Sequence, residues 1–189
     1  MFVQNLFRAS APILACVSSF LFSPHVHYNT QEPSTNLFAL SAVNELNYWS
    51  HHKPLWKLVG PWAPMIRHAA HKAKIPSTIV AAVFWVENGG DLSGCANRVS
   101  YAGAIGPMQL MPATAWQVLH VNPWNPQQNI DGGAKFLATL LKTFHGRLRL
   151  ALMAYNAGPT TISSGYRPIQ SVVYARRVVR VLNTRLQAI

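Results

Sequence analysis

The segment Ile79-Val80-Ala81-Ala82-Val83-Phe84-Trp85-Val86 turns an apolar side chain to every side of a helix. A helix that is hydrophobic all round has no face for water, so other elements must surround it. Pro76-Ser77-Thr78 opens it, because proline is tolerated in a first turn, and Gly89-Gly90 stops it. Helical periods recur on both sides. Trp62, Ile66, Ala69, Ala70 and Ala73 fall at three- and four-residue spacings and predict an amphipathic helix that ends before Pro76. A short helix is predicted over 113–119 behind Pro112. A longer one runs from Pro126 to about Phe144, with Ile130, Ala134, Leu137, Leu140 and Leu141 as its stripe and Gly146 as its stop. Two more cover 148–157 and 168–186. In the last, Val172, Ala175, Val179 and Leu182 keep helical spacing, which outweighs the strand signal of Val172-Val173 and Val178-Val179. The expected fold class is predominantly α, with at most a small hairpin in the Gly- and Ser-rich stretch 88–106.

Upstream the texture differs. Arg8 precedes fourteen uncharged residues, Ala9 to Phe22, and so residues 1–23 read as a signal-peptide-like segment and the chain as exported. Ile13-Leu14-Ala15-Cys16 loosely matches a lipoprotein processing site, which makes Cys16 a candidate lipid anchor, although it lies inside the apolar run. Residues 24–53 are polar and mixed and read as a linker or arm. Residues 54–189 form the expected domain. The run Ala9–Phe22 is short of the 18 or so residues of an ordinary span, and Pro12 interrupts it, so no stable membrane span is expected. With 50% apolar residues the chain can bury a core, which excludes collagen-like, disordered and acidic solvating classes.

Charge sharpens the functional question. The chain carries 16 Lys and Arg against 5 Asp and Glu; from residue 51 onward fifteen bases face three acids, Glu87, Asp91 and Asp131. A field of that sign favours an anionic partner. Nucleic acid is one such partner, and Arg176, Arg177, Arg180 and Arg185 would line a basic face of the last helix. No zinc pattern, RNA-binding aromatic motif or clear recognition helix accompanies them, so nucleic acid is not the expected partner. His51-His52 and the pair His68 and His71 have no neighbouring acid or thiol, and neither a metal site nor a cofactor is expected.

Glu87 ends the apolar helix. A carboxyl there is desolvated and near the negative end of the helix dipole, and both favour its neutral form. Such a glutamate can donate a proton near neutral pH, as a glycosidase general acid must. The plainer alternative is a glutamate that reaches solvent over Gly89-Gly90 or pairs with one of the many bases. Further on, Ser100 to Pro112 places glycines, the amide of Gln109 and the thioethers of Met108 and Met111 in one loop. Glycines allow close backbone approach. The amide suits an N-acetyl group, and thioethers adapt to sugar-ring faces. Tyr155 and Asn156 close another apolar helix before Gly158-Pro159.

In this order the pieces resemble the catalytic domain of the soluble lytic transglycosylases, murein-cleaving enzymes of the goose-lysozyme-like superfamily. The resemblance covers roughly residues 54–182. It rests on the helix-borne Glu87, the run from Ser100 to Ala115, Asn129-Ile130 with Gly132-Gly133-Ala134, and Ala154-Tyr155-Asn156-Ala157-Gly158. It implies a lysozyme-like helical domain acting on peptidoglycan glycan strands. Glu87 would be the sole acid/base and Ser100 would hydrogen-bond near it. Gln109, Met111 and Tyr155 would be substrate contacts, and Met108, Asn156 and Tyr174 supporting residues. Three departures stand out. Asn88 replaces the family's serine after the glutamate, and the stretch from Glu87 to Ser100 is longer than usual. Gln170-Ser171-Val172-Val173-Tyr174 replaces a Glu-Thr-x-x-Tyr signature.

An inverting glycosidase needs a second carboxylate to activate water. Asp91 lies beyond two glycines, and Asp131 sits early in a helix, where the dipole explains an acid. A one-carboxyl route to a 1,6-anhydro product is therefore expected, with a goose-type lysozyme as the alternative within the same fold. A monomer is expected. General wall remodelling, service to a secretion or conjugation apparatus, and phage origin are all compatible with these residues.

Overall fold

The computed structural model describes residues 58–186, with side chains to residue 183. The expected signal-like segment, the arm and Cys16 lie outside the described residues. Six α-helices lie wholly within the described part: α1 (Ala63–Ala73), α2 (Ser77–Glu87), α3 (Pro126–Thr143), α4 (Leu148–Ala157), α5 (Pro159–Ser163) and α6 (Ile169–Leu186). A 3-10 turn, Gly60–Trp62, leads into α1, and another, Cys95–Asn97, lies in the loop after α2.

The helix apolar on all sides is the centre of the domain. α2 packs against α1, α3 and α6, and every residue from Ile79 to Phe84 is buried. The Trp62 ring covers Phe84 with centroids 5.6 Å apart. Beyond Phe84 the last turn emerges. Trp85 and Val86 are half-buried, beside a shallow groove that also involves Gly89, Gly90, Arg177 and Val181. The other helices each bury one stripe. α1 lies across α3, α4 joins α3 to α6, and Ile66, Ile130, Leu137, Leu140, Leu141 and Leu152 fill the space between.

Caps follow the local chemistry. Asn125 accepts the N–H of Gln128 at 3.0 Å and, with Pro126 in the first turn, starts α3. α2 ends at Asn88, followed by Gly89 and Gly90 at φ +62° and +82°, where glycine avoids the left-handed penalty.

Two elements differ from expectation. Residues Thr114–Leu119 form a π-helical rather than an α-helical turn, and both His120 and Val121 N–H groups reach back to the Ala115 carbonyl. The widened turn is the kind of irregularity that gathers at functional sites. The short α5 was not anticipated, because Gly158-Pro159 reads as a turn; here Pro159 instead occupies the first helical position. Over 88–106 the hairpin shrinks to isolated antiparallel bridges, Val99 with Ile105 and Ile105 with Leu110, and no strand forms among the described residues.

Those bridges leave the loop Ile105–Leu110 with little ladder of its own, and Asn129 of α3 supplies the missing bonds. Its Oδ1 accepts from Met108 N–H at 2.8 Å; its Nδ2 donates to Ile105 O and Pro123 O, each at 2.9 Å. Gly106 lets this happen. It sits at φ +74°, and a Cβ there would lie 2.5 Å from Asn129 Nδ2 and 2.8 Å from Pro123 O. Gly106→Ala is therefore expected to destabilise the fold by about 3 kcal/mol, combining left-handed strain with overpacking. Urea unfolding followed by circular dichroism measures it, and an unchanged midpoint would contradict this account of the loop.

Candidate active site

A cavity of about 270 Å³ opens beside the C-terminal end of α2. Glu87 lines it together with Ser100, Gln109, Met111, Tyr155 and Asn156, so six of the residues singled out in the sequence meet in one place. Ala102, Ala104, Leu110, Thr114 and Phe136 complete the wall.

Protein atoms crowd the Glu87 carboxyl although the residue keeps an opening to the cavity. Burial raises its pKa to about 7, against a smaller opposing effect from the hydrogen bond of Tyr174. The Tyr174 hydroxyl donates to Glu87 Oε1 at 2.6 Å. Burial and Tyr174 account for the shift, and the described ion pairs of the nearby acids lie elsewhere: Lys72 with Asp131 at 3.0 Å and Arg98 with Asp91 at 3.6 Å. The alternative of a solvated or ion-paired glutamate does not match this environment. Burial also pushes the Tyr155 and Tyr174 phenols well above their usual range, with the Glu87 charge adding to the effect, so both remain proton donors.

Tyr174 thus touches the carboxyl directly. Tyr155, from α4, donates to Met108 O at 2.9 Å and packs its ring on Phe136 with centroids 5.5 Å apart. Met108 itself is fully buried, and a Cβ on Gly133 would come within 2.7 Å of its Cβ. The close pair Gly132-Gly133 in α3 therefore makes room for the loop that carries Met108. Met111, at 38% exposed, is the thioether left facing the cavity.

Ser100 lines the cavity, but its hydroxyl accepts the Ala104 N–H at 3.0 Å and so braces its own turn. Gln109 has φ +49°, unusual for a residue with a side chain. Its Nε2 donates to Gly106 O at 2.8 Å and to Arg98 O at 3.4 Å. With the donor half so occupied, the amide oxygen is the group available to a ligand N–H. Asn156 is exposed on the rim.

Two contributors escaped the sequence reading, and a third, Asn88, was singled out there without its role. Thr114 comes to the wall from the π-helical turn and Phe136 from α3. Asn88 is buried, and its Nδ2 donates to Phe84 O at 2.7 Å and Pro107 O at 2.9 Å, which ties the end of α2 to the Met108 loop. The replacement of serine by asparagine after Glu87 was visible in the sequence. Its reach to Pro107 was not.

The other acids have separate employment. Asp91 is exposed; Ser93 donates to it from both N–H and hydroxyl, which with Arg98 nearby lowers its pKa. Asp131 accepts from Lys72 and from Gln127. Neither lines the cavity.

Residues 64–175 match the Transglycosylase SLT domain family. The chain belongs to that family. It is similar to the transglycosylase of Enterobacteria phage PRD1, 34% identical over 122 residues, which are 65% of this chain and 43% of that protein. It is also similar to the membrane-bound lytic murein transglycosylase F of Pseudoalteromonas translucida (strain TAC 125), 45% identical over 65 residues, 31% of this chain and 14% of the relative. The chain thus matches less than half the length of either relative. Among solved structures, an inactive glutamate-to-glutamine mutant of lytic transglycosylase Slt from Pseudomonas aeruginosa superposes with a TM-score of 0.55 at 23% identity, over 67% of this chain and 24% of that one. The 70 kDa soluble lytic transglycosylase of Escherichia coli gives 0.51 at 21%, over 78% and 25%. Both share the fold.

The raised pKa of Glu87 has a consequence for stability. Between the ordinary value of 4.5 and about 7 the folded chain binds a proton that the unfolded chain releases, so stability falls as pH rises through that window. By pH 8 the loss amounts to about 3 kcal/mol at the usual conversion. Glu87→Gln removes the titration and keeps the shape. The variant is expected to be more stable than wild type at pH 8 and nearly equal at pH 4.5, by urea unfolding at both pH values. Equal differences at the two would show that the carboxyl is not desolvated.

Proposed function

We propose that the protein is a peptidoglycan lytic transglycosylase that cleaves the β-1,4 bond between N-acetylmuramic acid and N-acetylglucosamine, with Glu87 as its single acid/base. The observation that carries this reading is one buried, unpaired carboxyl with a pKa of about 7 in the wall of the cavity, while Asp91 and Asp131 are engaged elsewhere. Family membership and the names of the relatives support the substrate class.

The reaction balances with one protein group. Protonated Glu87 gives its proton to the glycosidic oxygen as the bond to the muramyl C1 breaks, and the substrate's acetamido oxygen supports the positive charge at C1. The carboxylate so formed takes the proton of the muramyl 6-hydroxyl while that oxygen bonds to C1, which closes the 1,6-anhydro ring and restores the acid. The intramolecular hydroxyl has a large effective concentration over water. Gln109 Oε1 can accept the N–H of an N-acetyl group, and Met111 offers an adaptable apolar surface to a ring. Tyr155 shapes the floor through Met108. The uncharged run Ala9–Phe22 and the location of murein favour an exported, periplasmic or wall-associated protein.

Mass analysis of muropeptides released from purified sacculi tests the chemistry. The expected products end in 1,6-anhydromuramic acid, lighter by one water than a reducing end. Glu87→Gln should lose at least the roughly 10²–10⁴-fold of general acid–base catalysis. Predominantly reducing ends would instead indicate a hydrolytic, lysozyme-type reaction.

Tyr174 sets where on the pH scale the acid works. Its hydroxyl stabilises the carboxylate, so removing it lets desolvation act alone and raises the Glu87 pKa further. Tyr174→Phe is expected to move the alkaline limb of the rate profile to higher pH. A limb that stays in place or moves to lower pH would show that the phenol does not bond the ionised form.

A further inference from the structure

We propose that Arg98 is a positioning residue that sets Gln109 against Glu87, acting from the long segment that departs from the family pattern. The inference rests on the transglycosylase reading and concerns how the same cavity grips its glycan. Arg98 bridges the two walls. Its Nη1 donates to Asn88 O at 2.8 Å, the carbonyl immediately after Glu87, and its Nη2 donates to Ser93 O at 2.8 Å. Asp91 stands 3.6 Å from the same guanidinium, an exposed ion pair at the outer edge of the fork. A planar fork suits this double grip, since each half reaches a different carbonyl of one loop.

The backbone of the same residue holds the opposite wall. Arg98 O accepts the Gly106 N–H at 2.8 Å and Gln109 Nε2 at 3.4 Å. Gly106 O in turn accepts both the Gln109 N–H at 3.0 Å and Gln109 Nε2 at 2.8 Å. Gln109 occupies a left-handed backbone conformation, which a non-glycine residue keeps only when its surroundings over-determine it. Arg98 is part of that determination. Fixing its side chain on the end of α2 fixes its carbonyl, and through Gly106 the carbonyl fixes the Gln109 amide. The longer segment after Glu87 thus closes on itself and returns to the cavity as a brace.

The test is a double-mutant cycle read as affinity for soluble peptidoglycan glycan strands, with the full-length Glu87→Gln chain as host so that turnover plays no part. Arg98→Lys keeps the charge and loses the fork. Gln109→Asn keeps a residue that tolerates the left-handed conformation and shortens the amide. Each is expected to weaken binding about tenfold, on the scale of a lost charge-assisted or ligand hydrogen bond. Because Arg98 acts through Gln109, the double variant should bind within about twofold of Gln109→Asn alone. Two independent losses that multiply to about a hundredfold would overturn the proposal, as would wild-type affinity in Arg98→Lys. A merely structural brace would lower the melting temperature without this non-additivity. If Arg98→Lys fails to fold, Arg98→Gln, whose single amide cannot reach both the Asn88 and Ser93 carbonyls, enters the same cycle under the same criterion. Product analysis on the wild-type chain stays separate, so a failure of the transglycosylase reading shows there and a failure of the brace shows in the cycle.

Discussion

Desolvation of the last turn of α2 is the constraint to which the rest of the domain answers. A helix with apolar side chains on every side must be enclosed, and α1, α3 and α6 enclose it. The enclosure reaches far enough to surround a carboxyl and stops short of sealing it. Buried completely, Glu87 could meet no ligand; solvated, it would be an ordinary carboxylate, ionised at neutral pH. The same dry surroundings that raise its pKa to about 7 lower the stability of the fold whenever the group ionises. The domain carries that loss because the interior around α2, from Ile66 to Leu152, is continuous and apolar.

A second requirement is a rigid wall opposite the acid, and here polar side chains replace a sheet. The loop Ile105–Leu110 has two backbone bridges and is otherwise fixed from outside: by Asn129 from α3, by Asn88 from the end of α2, and by Tyr155 from α4. Each tether comes from a different element, so the loop can sit correctly only when all three helices do. The glycines read the same way. Gly106 yields space to Asn129, and Gly133 to Met108, so contacts between loop and helix are closer than any side chain would permit.

Much of this was legible in the sequence because it depended on periodicity. The all-apolar run of α2, the stripe of α3 and the spacing of Val172, Ala175, Val179 and Leu182 in α6 each specify burial without reference to a partner. α4 runs over 148–157, as expected. Glu87, Ser100, Gln109, Met111 and Tyr155 could be picked out because motif order survives folding. What stayed hidden depends on pairing across the fold. Nothing local says that Tyr174 meets Glu87, that Asn88 reaches Pro107, or that Phe136 and Thr114 face the cavity. Met108 and Met111 look alike in the sequence, yet one is buried and the other open, since which side of a loop points inward is decided by Gly133 on another helix. The π-helical turn is equally invisible, because no spacing in Thr114–Leu119 distinguishes it from an α turn.

The scarcity of acids gives the site its economy of charge. With both tyrosines held neutral and no base among the described residues paired to Glu87, the described part of the inner site carries at most one negative charge, and it appears and disappears at a single atom group. A second carboxylate close by would raise the first further and hold one of the two protonated through the cycle. A lone group avoids that coupling. Near its pKa of about 7 it is divided between acid and base at neutral pH, so neither giving its proton nor taking one back is steeply uphill. The two-step reaction proposed above, in which Glu87 first protonates a leaving oxygen and then deprotonates a hydroxyl on the same sugar, asks for that balance. Desolvation and the Tyr174 hydrogen bond, pulling in opposite directions, set it.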